Sequence, residues 1–250
     1  MMEQEESPDE FAHRTANMNT TAFSPHILAL IPAFNEAAHI ADVIRRTSEF
    51  LTVLVVDDGS SDATAKIAQE TGAEVLRQQP NQGKGKALMR GFQYAVEKNF
   101  AAVITLDADG QHDPSEIPLF LENFTKLKSD LVIGQRNFSQ MPLIRRCSNT
   151  IGTWLFSWAI GQKVSDNQSG YRLVSRRLMQ VMLQSSESGF EYEVEMIVRC
   201  VQNGMKLAWV PIRTIYADEH SHIRPLHHVW HFFRLVAQTR KTMHDFRRKG

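Results

Sequence analysis

Leu51-Thr52-Val53-Leu54-Val55-Val56-Asp57-Asp58-Gly59-Ser60-Ser61-Asp62 passes without a break from an aliphatic run into a polar loop, and residues 63–71 then follow with helical character. A short apolar run bounded by turn residues is the pattern of a strand buried on both faces, as in a parallel sheet. The same unit recurs on either side. Upstream, Ile27 to Ile31 is an aliphatic run closed by Pro32, and residues 37–50 follow with Ile40, Val43 and Ile44 at helical spacing. Downstream, residues 74–77 read as a short strand, 85–99 as a helix, and 101–106 as a strand leading into Asp107-Ala108-Asp109-Gly110-Gln111. Strands alternating with helices predict an α/β fold: a mostly parallel central sheet flanked by helices and joined by right-handed crossovers.

Residues 25–115 form the nucleotide-binding half expected of such a sheet. Beyond it the pattern predicts a helix at 119–127, a strand at 130–134, a helix or helix pair at 143–161 and an extended piece at 172–174. A helix at 191–203, a strand at 207–211 and a closing helix at 226–244 complete the chain. No internal repeat interrupts this. The reading is one domain over 25–225, between an acidic, apolar-poor leader at 1–24 and an amphipathic helix with a basic tail at 226–250.

Formal charge is balanced, with 28 Lys and Arg against 28 Asp and Glu. The balance hides an asymmetry: Glu3, Glu5, Glu6, Asp9 and Glu10 crowd one end, and Arg240, Lys241, Arg247, Arg248 and Lys249 the other. Neither makes a phosphate-tracking face, so a nucleic-acid partner is not expected. Cys147 and Cys200 stand apart without metal-type spacing, which argues against a disulfide framework or a structural zinc. The leader has no apolar signal core, and the longest apolar stretch, Ile151 to Ile160, is well short of the roughly 20 residues that span a bilayer. A cytoplasmic location is expected.

Three polar loops each follow a strand: Pro32-Ala33-Phe34-Asn35-Glu36, Asp57-Asp58-Gly59-Ser60, and Asp107-Ala108-Asp109-Gly110-Gln111. The carboxyl edge of an open α/β sheet is where such loops gather into one site. There, Asp107 and Asp109 suit a hard divalent cation, Mg²⁺ or Mn²⁺, which takes one or two carboxylates and completes its shell with water and substrate phosphates. Taken singly, Asp-x-Asp-Gly is also ordinary turn chemistry, and Asn35, Asp57 or Ser60 can simply cap the next helix. Gly83-Lys84-Gly85-Lys86 matches neither a phosphate loop nor a dinucleotide fingerprint; it reads equally as a phosphate contact or a solvated charge run.

Taken in order, Ile31-Pro32-Ala33-Phe34-Asn35-Glu36, Val56-Asp57-Asp58-Gly59-Ser60-Ser61-Asp62, Asn81-Gln82-Gly83-Lys84-Gly85-Lys86-Ala87, Asp107-Ala108-Asp109-Gly110-Gln111-His112 and Gly134-Gln135-Arg136 resemble a family 2 glycosyltransferase. More narrowly they resemble the dolichyl-phosphate mannose synthase branch and its polyprenyl-phosphate relatives. The resemblance implies a GT-A type fold, a nucleotide-diphosphate sugar donor and inversion at the anomeric carbon. By position it puts Pro32, Phe34, Glu36, Val55 and Asp57 at the base and ribose, and Asp107, Ala108 and Asp109 along the donor. Asp107, Asp109 and Gln111 would hold the metal, Arg136 would contact the acceptor phosphate, and Arg145 and Arg146 would continue that contact.

Ser165-Asp166-Asn167-Gln168-Ser169-Gly170-Tyr171-Arg172 resembles a segment near the sugar, which implies that Asp166, with Asp109, stands at the reacting centre. The resemblance departs near the end, where Ser221-His222 takes the place of a Ser-Lys pair whose lysine meets the donor phosphates, and Tyr216 stands at an arginine position. His222 can still donate to a phosphate.

Leu226, Val229, Trp230, Phe233, Val236 and Ala237 recur at three- and four-residue steps, so this helix packs on its own domain or lies on a membrane surface. Trp154, Phe156 and Trp158 are candidates for the same surface, reached directly or through a membrane-anchored partner. The expected activity is transfer of a hexose to a polyprenyl (dolichyl-type) phosphate. The alternatives are a sugar or lipid hydroxyl acceptor, which would want a base such as Asp166, Glu191 or Glu193, and a non-catalytic sugar-nucleotide-binding scaffold.

Overall fold

The computed structural model describes residues 27–136, 143–184 and 192–213, and near the carboxyl end 236, 237, 239–241, 243 and 244. Seven strands form one sheet: β1 (Ile27–Ala33), β2 (Thr52–Asp57), β3 (Glu74–Arg77), β4 (Ala102–Thr105), β5 (Leu131–Arg136), β6 (Arg172–Ser175) and β7 (Leu207–Ile212). Their order is β3-β2-β1-β4-β6-β5-β7, and every pairing is parallel except the two made by β6. All seven residues of β1 are buried, as expected of a central strand covered on both faces.

The helices are α1 (Ile40–Ser48), α2 (Thr64–Glu70), α3 (Lys84–Glu97), α4 (Ile117–Leu127), α5 (Leu143–Ile160), α6 (Arg176–Met182) and α7 (Tyr192–Gln202). One face of the sheet is covered by α1, α2 and α4, through residues such as Ile40, Ile44, Ala68 and Phe120. The other is covered by α3, α6 and α7 with the end of α5, through Leu88, Phe92, Met179, Ile197 and Ile160. Alternation along β1 sends Leu28 and Leu30 to the second layer and Ala29 and Ile31 to the first. Each aliphatic side chain so buried contributes about 1.5–3 kcal/mol.

Where α3 crosses β1 a glycine is required. A Cβ on Gly91 would lie 2.4 Å from both terminal methyl groups of Leu30, so only glycine lets the helix approach this closely. That approach sets the position of Lys84 at the start of α3.

The predicted mostly parallel sheet and the strand-helix alternation are present. The piece predicted as extended at 172–174 is β6, inserted antiparallel between β4 and β5, and α6 follows it where no helix was predicted. Residues 143–160 form one helix, not a pair. The leader at 1–24 and most of the closing helix lie outside the described residues. The described part of that helix packs on the domain: Val236, Thr239 and Met243 are buried, and Met243 belongs to the main core.

Candidate active site

The first two loops at the carboxyl edge are tied to each other. The Asn35 amide donates to Ser60 Oγ (2.9 Å), the Ser61 amide to Asn35 Oδ1 (2.9 Å), and the Glu36 amide to Thr64 Oγ1 (2.8 Å). Asp62 accepts from the amide and hydroxyl of Thr64 at the start of α2, and those bonds lower its pKa. Asn35 and Ser60 thus tie the two loops together, but neither caps a helix: α1 and α2 start after His39 and Ala63 without a side-chain cap.

The second loop's two aspartates point different ways. Asp57 ends β2 with its side chain fully buried; Oδ2 accepts from Arg77 Nε at 3.0 Å, while Oδ1 has no hydrogen-bond partner among the described residues. A buried, unpaired carboxylate oxygen is costly, so such an atom marks a place for an N–H or O–H group. Asp58 turns toward α3 and accepts from Gln78 Nε2 (2.5 Å) and from the amides of Gln82 (2.8 Å) and Gly83 (2.7 Å). It pins the segment that delivers Lys84.

Beyond β4, Asp107 meets that lysine. Lys84 Nζ lies 2.5 Å from Asp107 Oδ1 and 3.0 Å from Glu193 Oε1 at the start of α7. Burial opposes the charge on both groups, yet their attraction wins: Asp107 is held down to about 2, chiefly by Lys84 and then His112, and the lysine is pushed up. At the neighbour the balance goes the other way: burial, helped by the charge of Asp107, raises the pKa of Asp109 although the Gln111 amide, which donates to its Oδ1 at 2.9 Å, pulls it down.

His112 supports this loop from beneath. The Asp107 amide donates to its Nδ1 at 3.0 Å, so a neutral ring carries its proton on Nε2, and burial lowers its pKa. The ring stacks on Tyr171 (centroids 5.0 Å apart), which stacks on Phe120 (4.3 Å).

The segment before β6 closes the site. Arg136, at the end of β5, holds Asp166 with a guanidinium fork: Nε to Oδ2 at 2.7 Å and Nη2 to Oδ1 at 3.0 Å. Gly170 passes so near the acidic centre that a Cβ there would lie 2.7 Å from Asp107 Oδ2 and 2.8 Å from Lys84 Nζ. Thr105 donates to the Gly170 carbonyl (2.7 Å), and the fully buried Arg172 donates to the carbonyls of Ser169 (2.7 Å), Asn167 (3.2 Å) and Glu193. The 166–170 segment thus meets Arg136 at one end and Asp107 at the other, and Arg136 adds a small share to the attraction that holds Asp107 ionised.

Pro32 is buried at the end of β1, Phe34 is exposed and Glu36 half-buried on the loop after it, so these two form a rim near Asp57. The side chains of Val55 and Ala108 are buried in the apolar layer under α1. There they pack beneath Asp57 and Asp107. Phe156, read as a surface aromatic, is fully buried in the core, because it lies on the opposite face of α5 from Trp154. The side chains of Arg145 and Arg146, and Glu191, Tyr216, Ser221 and His222, lie outside the described residues.

Arg77 as the partner of Asp57, Asp58 as the anchor of α3, and His112 and Arg172 as supports were not singled out from sequence. Asp58, His112 and Arg172 stood within the quoted motifs without a role of their own, and Arg77 carried no signal.

The residues suit a divalent cation. Asp107 and Asp109 supply hard carboxylate oxygens and Gln111 an amide oxygen, and Asp107 already holds a cation, the lysine ammonium.

The family profile described as Glycosyl transferase family 2 matches residues 29–179. The UDP-N-acetylglucosamine–dolichyl-phosphate N-acetylglucosaminyltransferase of Methanococcus voltae is 28% identical over 77% of this chain and 86% of its own. The undecaprenyl-phosphate mannosyltransferase of Micrococcus luteus is 29% identical over 74% of this chain and 82% of its own. Among solved structures, glucosyl-3-phosphoglycerate synthase from Mycobacterium tuberculosis in complex with UDP is similar with a TM-score of 0.66 at 22% identity, over 97% of this chain and 86% of that one. The same synthase is known with Mn²⁺, UDP-glucose and phosphoglyceric acid, with a TM-score of 0.66 and 20% identity.

Proposed function

The chain belongs to glycosyl transferase family 2 and is a glycosyltransferase, and from that premise we propose that it moves a hexose from a nucleotide-diphosphate sugar to a polyprenyl phosphate at the cytoplasmic face of a membrane, with inversion. The observation that carries this reading is Arg136, locked on Asp166 within electrostatic reach of Asp107. A guanidinium beside an acidic centre suits an acceptor that is itself an anion. The named relatives support it too. They differ in sugar, N-acetylglucosamine in one and mannose in the other, and share a polyprenyl-phosphate acceptor.

In this reading Asp57 Oδ1 accepts from an N–H of the base or a ribose hydroxyl, between Phe34 and Glu36 on the rim. Asp107, Asp109 and Gln111 hold Mg²⁺ or Mn²⁺, which when bound neutralises the charge that gathers on the departing diphosphate. The Mn²⁺ complex of the structural neighbour supports that assignment. Arg136 orients the acceptor phosphate, with Arg145 and Arg146 following on α5 and His222 meeting the donor phosphates.

A phosphate monoester is largely ionised at pH 7, with its second pKa near 6, so it attacks without a strong base. Positioning and charge stabilisation then supply most of the rate.

A hydroxyl acceptor fits less well. Both oxygens of Asp166 are engaged, Oδ2 by Arg136 Nε and Oδ1 by Arg136 Nη2 and the Gln168 amide, and Glu193 is paired with Lys84. Asp166 is thus fully committed, and Glu193 shares its charge with the Lys84 ammonium.

The test is a screen of UDP-glucose, GDP-mannose and related donors against a short polyprenyl phosphate and the matching polyprenol, with and without Mn²⁺. Metal-dependent transfer to the phosphate alone is the expected result; equal transfer to the alcohol overturns the acceptor assignment. Arg136→Ala should raise the KM for polyprenyl phosphate by about tenfold to a hundredfold, the range for losing a charge-assisted hydrogen bond of roughly 1.5–3 kcal/mol, and leave the donor KM nearly unchanged. Equal loss on both substrates would remove its acceptor role.

No described helix is long and apolar enough to cross a membrane. A surface for lipid is nevertheless present on α5, where Ile151, Trp154 and Trp158 are 57%, 68% and 54% exposed at three- and four-residue steps. Arg240 lies over the Trp158 ring, 4.7 Å from its centroid, beside Lys241. Tryptophans with neighbouring cations suit the interface of an anionic bilayer. The Trp154→Gln, Trp158→Gln double variant should lose more than about tenfold in binding to anionic vesicles, because roughly 100 Å² of apolar surface per ring is worth about 2 kcal/mol. Undiminished cosedimentation would overturn this face as the contact.

A further inference from the structure

Lys84 stands where the site needs a cation. Its ammonium is 2.5 Å from Asp107 Oδ1 and bridges to Glu193 Oε1 at 3.0 Å, so it draws together a carboxylate from the loop after β4 and one from the start of α7. Gly170 walls the pair from one side: a Cβ at that position would meet Asp107 Oδ2, Asp107 Oδ1 and Lys84 Nζ within 3.0 Å. On the other side the lysine side chain is 42% exposed, so it can swing outward. Its backbone cannot follow, because Asp58 holds the amides of Gln82 and Gly83.

Resting on the reading that Asp107 and Asp109 hold a divalent ion, we propose that Lys84 is a placeholder cation that makes metal binding conditional on the donor's diphosphate. With no diphosphate present, Asp107 Oδ1 is committed to the ammonium, whose positive charge repels an incoming divalent ion. Two like charges cannot share that oxygen at contact distance. The diphosphate changes the balance by offering Lys84 another anion near the start of α3, where the helix dipole also favours negative charge. As Lys84 moves onto a phosphate oxygen it leaves Asp107 free. Glu193 keeps the lysine within reach, so the exchange needs only a side-chain rotation. The consequence is reciprocal: the nucleotide tightens metal, and the metal tightens nucleotide, by one factor.

Lys84→Met tests this, since it keeps the length and apolar stem and removes the charge. Mn²⁺ binding is followed by the loss of the free-ion electron spin resonance signal, in the protein alone and with saturating UDP or GDP. For the unaltered protein Mn²⁺ alone binds weakly and the nucleotide tightens it. In Lys84→Met the affinity for Mn²⁺ alone should rise at least about fivefold, the lower end of ordinary coupling between sites, and the added effect of nucleotide should shrink toward none. Lys84→Arg retains a cation and should behave as the unaltered protein does.

If Lys84→Met leaves the affinity for Mn²⁺ alone unchanged or weaker while the nucleotide effect persists, the placeholder role is overturned and the metal assignment stands. Failure of the unaltered protein to bind Mn²⁺ even with nucleotide overturns the metal assignment and this proposal with it. A circular-dichroism melt of each variant confirms that the comparison is between folded proteins; a Lys84→Met chain that does not fold shifts the test to Lys84→Gln, judged by the same outcomes.

Discussion

Asp109→Ala is expected to abolish metal-dependent sugar transfer while leaving the protein folded. Asp109 is half-exposed on the acidic loop, and among the described residues its one hydrogen bond is the local contact from the Gln111 amide. Removing the carboxylate therefore breaks no tie between elements, and the melting temperature should move little, as for other surface substitutions. Function is a different matter. Without Asp109 the proposed metal site keeps only Asp107, which Lys84 already occupies, and Gln111.

Charge stabilisation by a bound divalent ion is worth several kcal/mol, and each 1.4 kcal/mol is tenfold in rate, so transfer should fall by at least about a thousandfold. The check is initial rate against Mn²⁺ concentration, with the melting curve measured alongside. A variant with full activity and ordinary metal dependence would remove Asp109 from the site.

The largest expected effect on stability belongs to Arg172→Leu. Arg172 is the largest fully buried side chain among the described residues. Its guanidinium satisfies three backbone carbonyls: Ser169 and Asn167 in the segment before β6, and Glu193 at the start of α7. Leucine fills part of the volume but leaves those carbonyls buried without donors, at about 1–3 kcal/mol each. It also removes the positive charge facing Asp166 and Glu193.

The sum, about 3–5 kcal/mol after local relaxation, is a large share of the 5–15 kcal/mol by which domains are stable. Thermal unfolding should drop by roughly 10 °C for a domain of this size. Activity should suffer as well, because the same segment carries Asp166 to Arg136 and Gly170 to Asp107. A melting temperature within about 2 °C of the unaltered protein would mean that the carbonyls find other donors and that Arg172 is dispensable.

The sequence and the folded chain speak to different parts of this site. β1 and β2 are legible because a strand buried on both faces is written as an unbroken aliphatic run, and Asp57 and Asp107 stand out because polar residues follow those runs abruptly. β6 is not legible as an inserted strand: it is four residues long, buried throughout and without periodicity to set its direction. The tie between Asn35 and Ser60 is equally unreadable, since the same residue types serve turns and ligands; only the fold shows the Asn35 amide donating to Ser60 Oγ.

By itself, then, the sequence determined the layered α/β class, the strand ends that carry chemistry and the family to which the chain belongs, all of which depend on patterns within a few residues of each other. The tertiary structure alone decided the partners. Arg136 and Asp166 are 30 residues apart, and Thr105 and Gly170 are 65 apart. They meet because β6 enters the sheet between β4 and β5, bringing the 166–171 segment over the acidic loop. Charge pairing across such separations depends on which strands are neighbours, and no local periodicity encodes that.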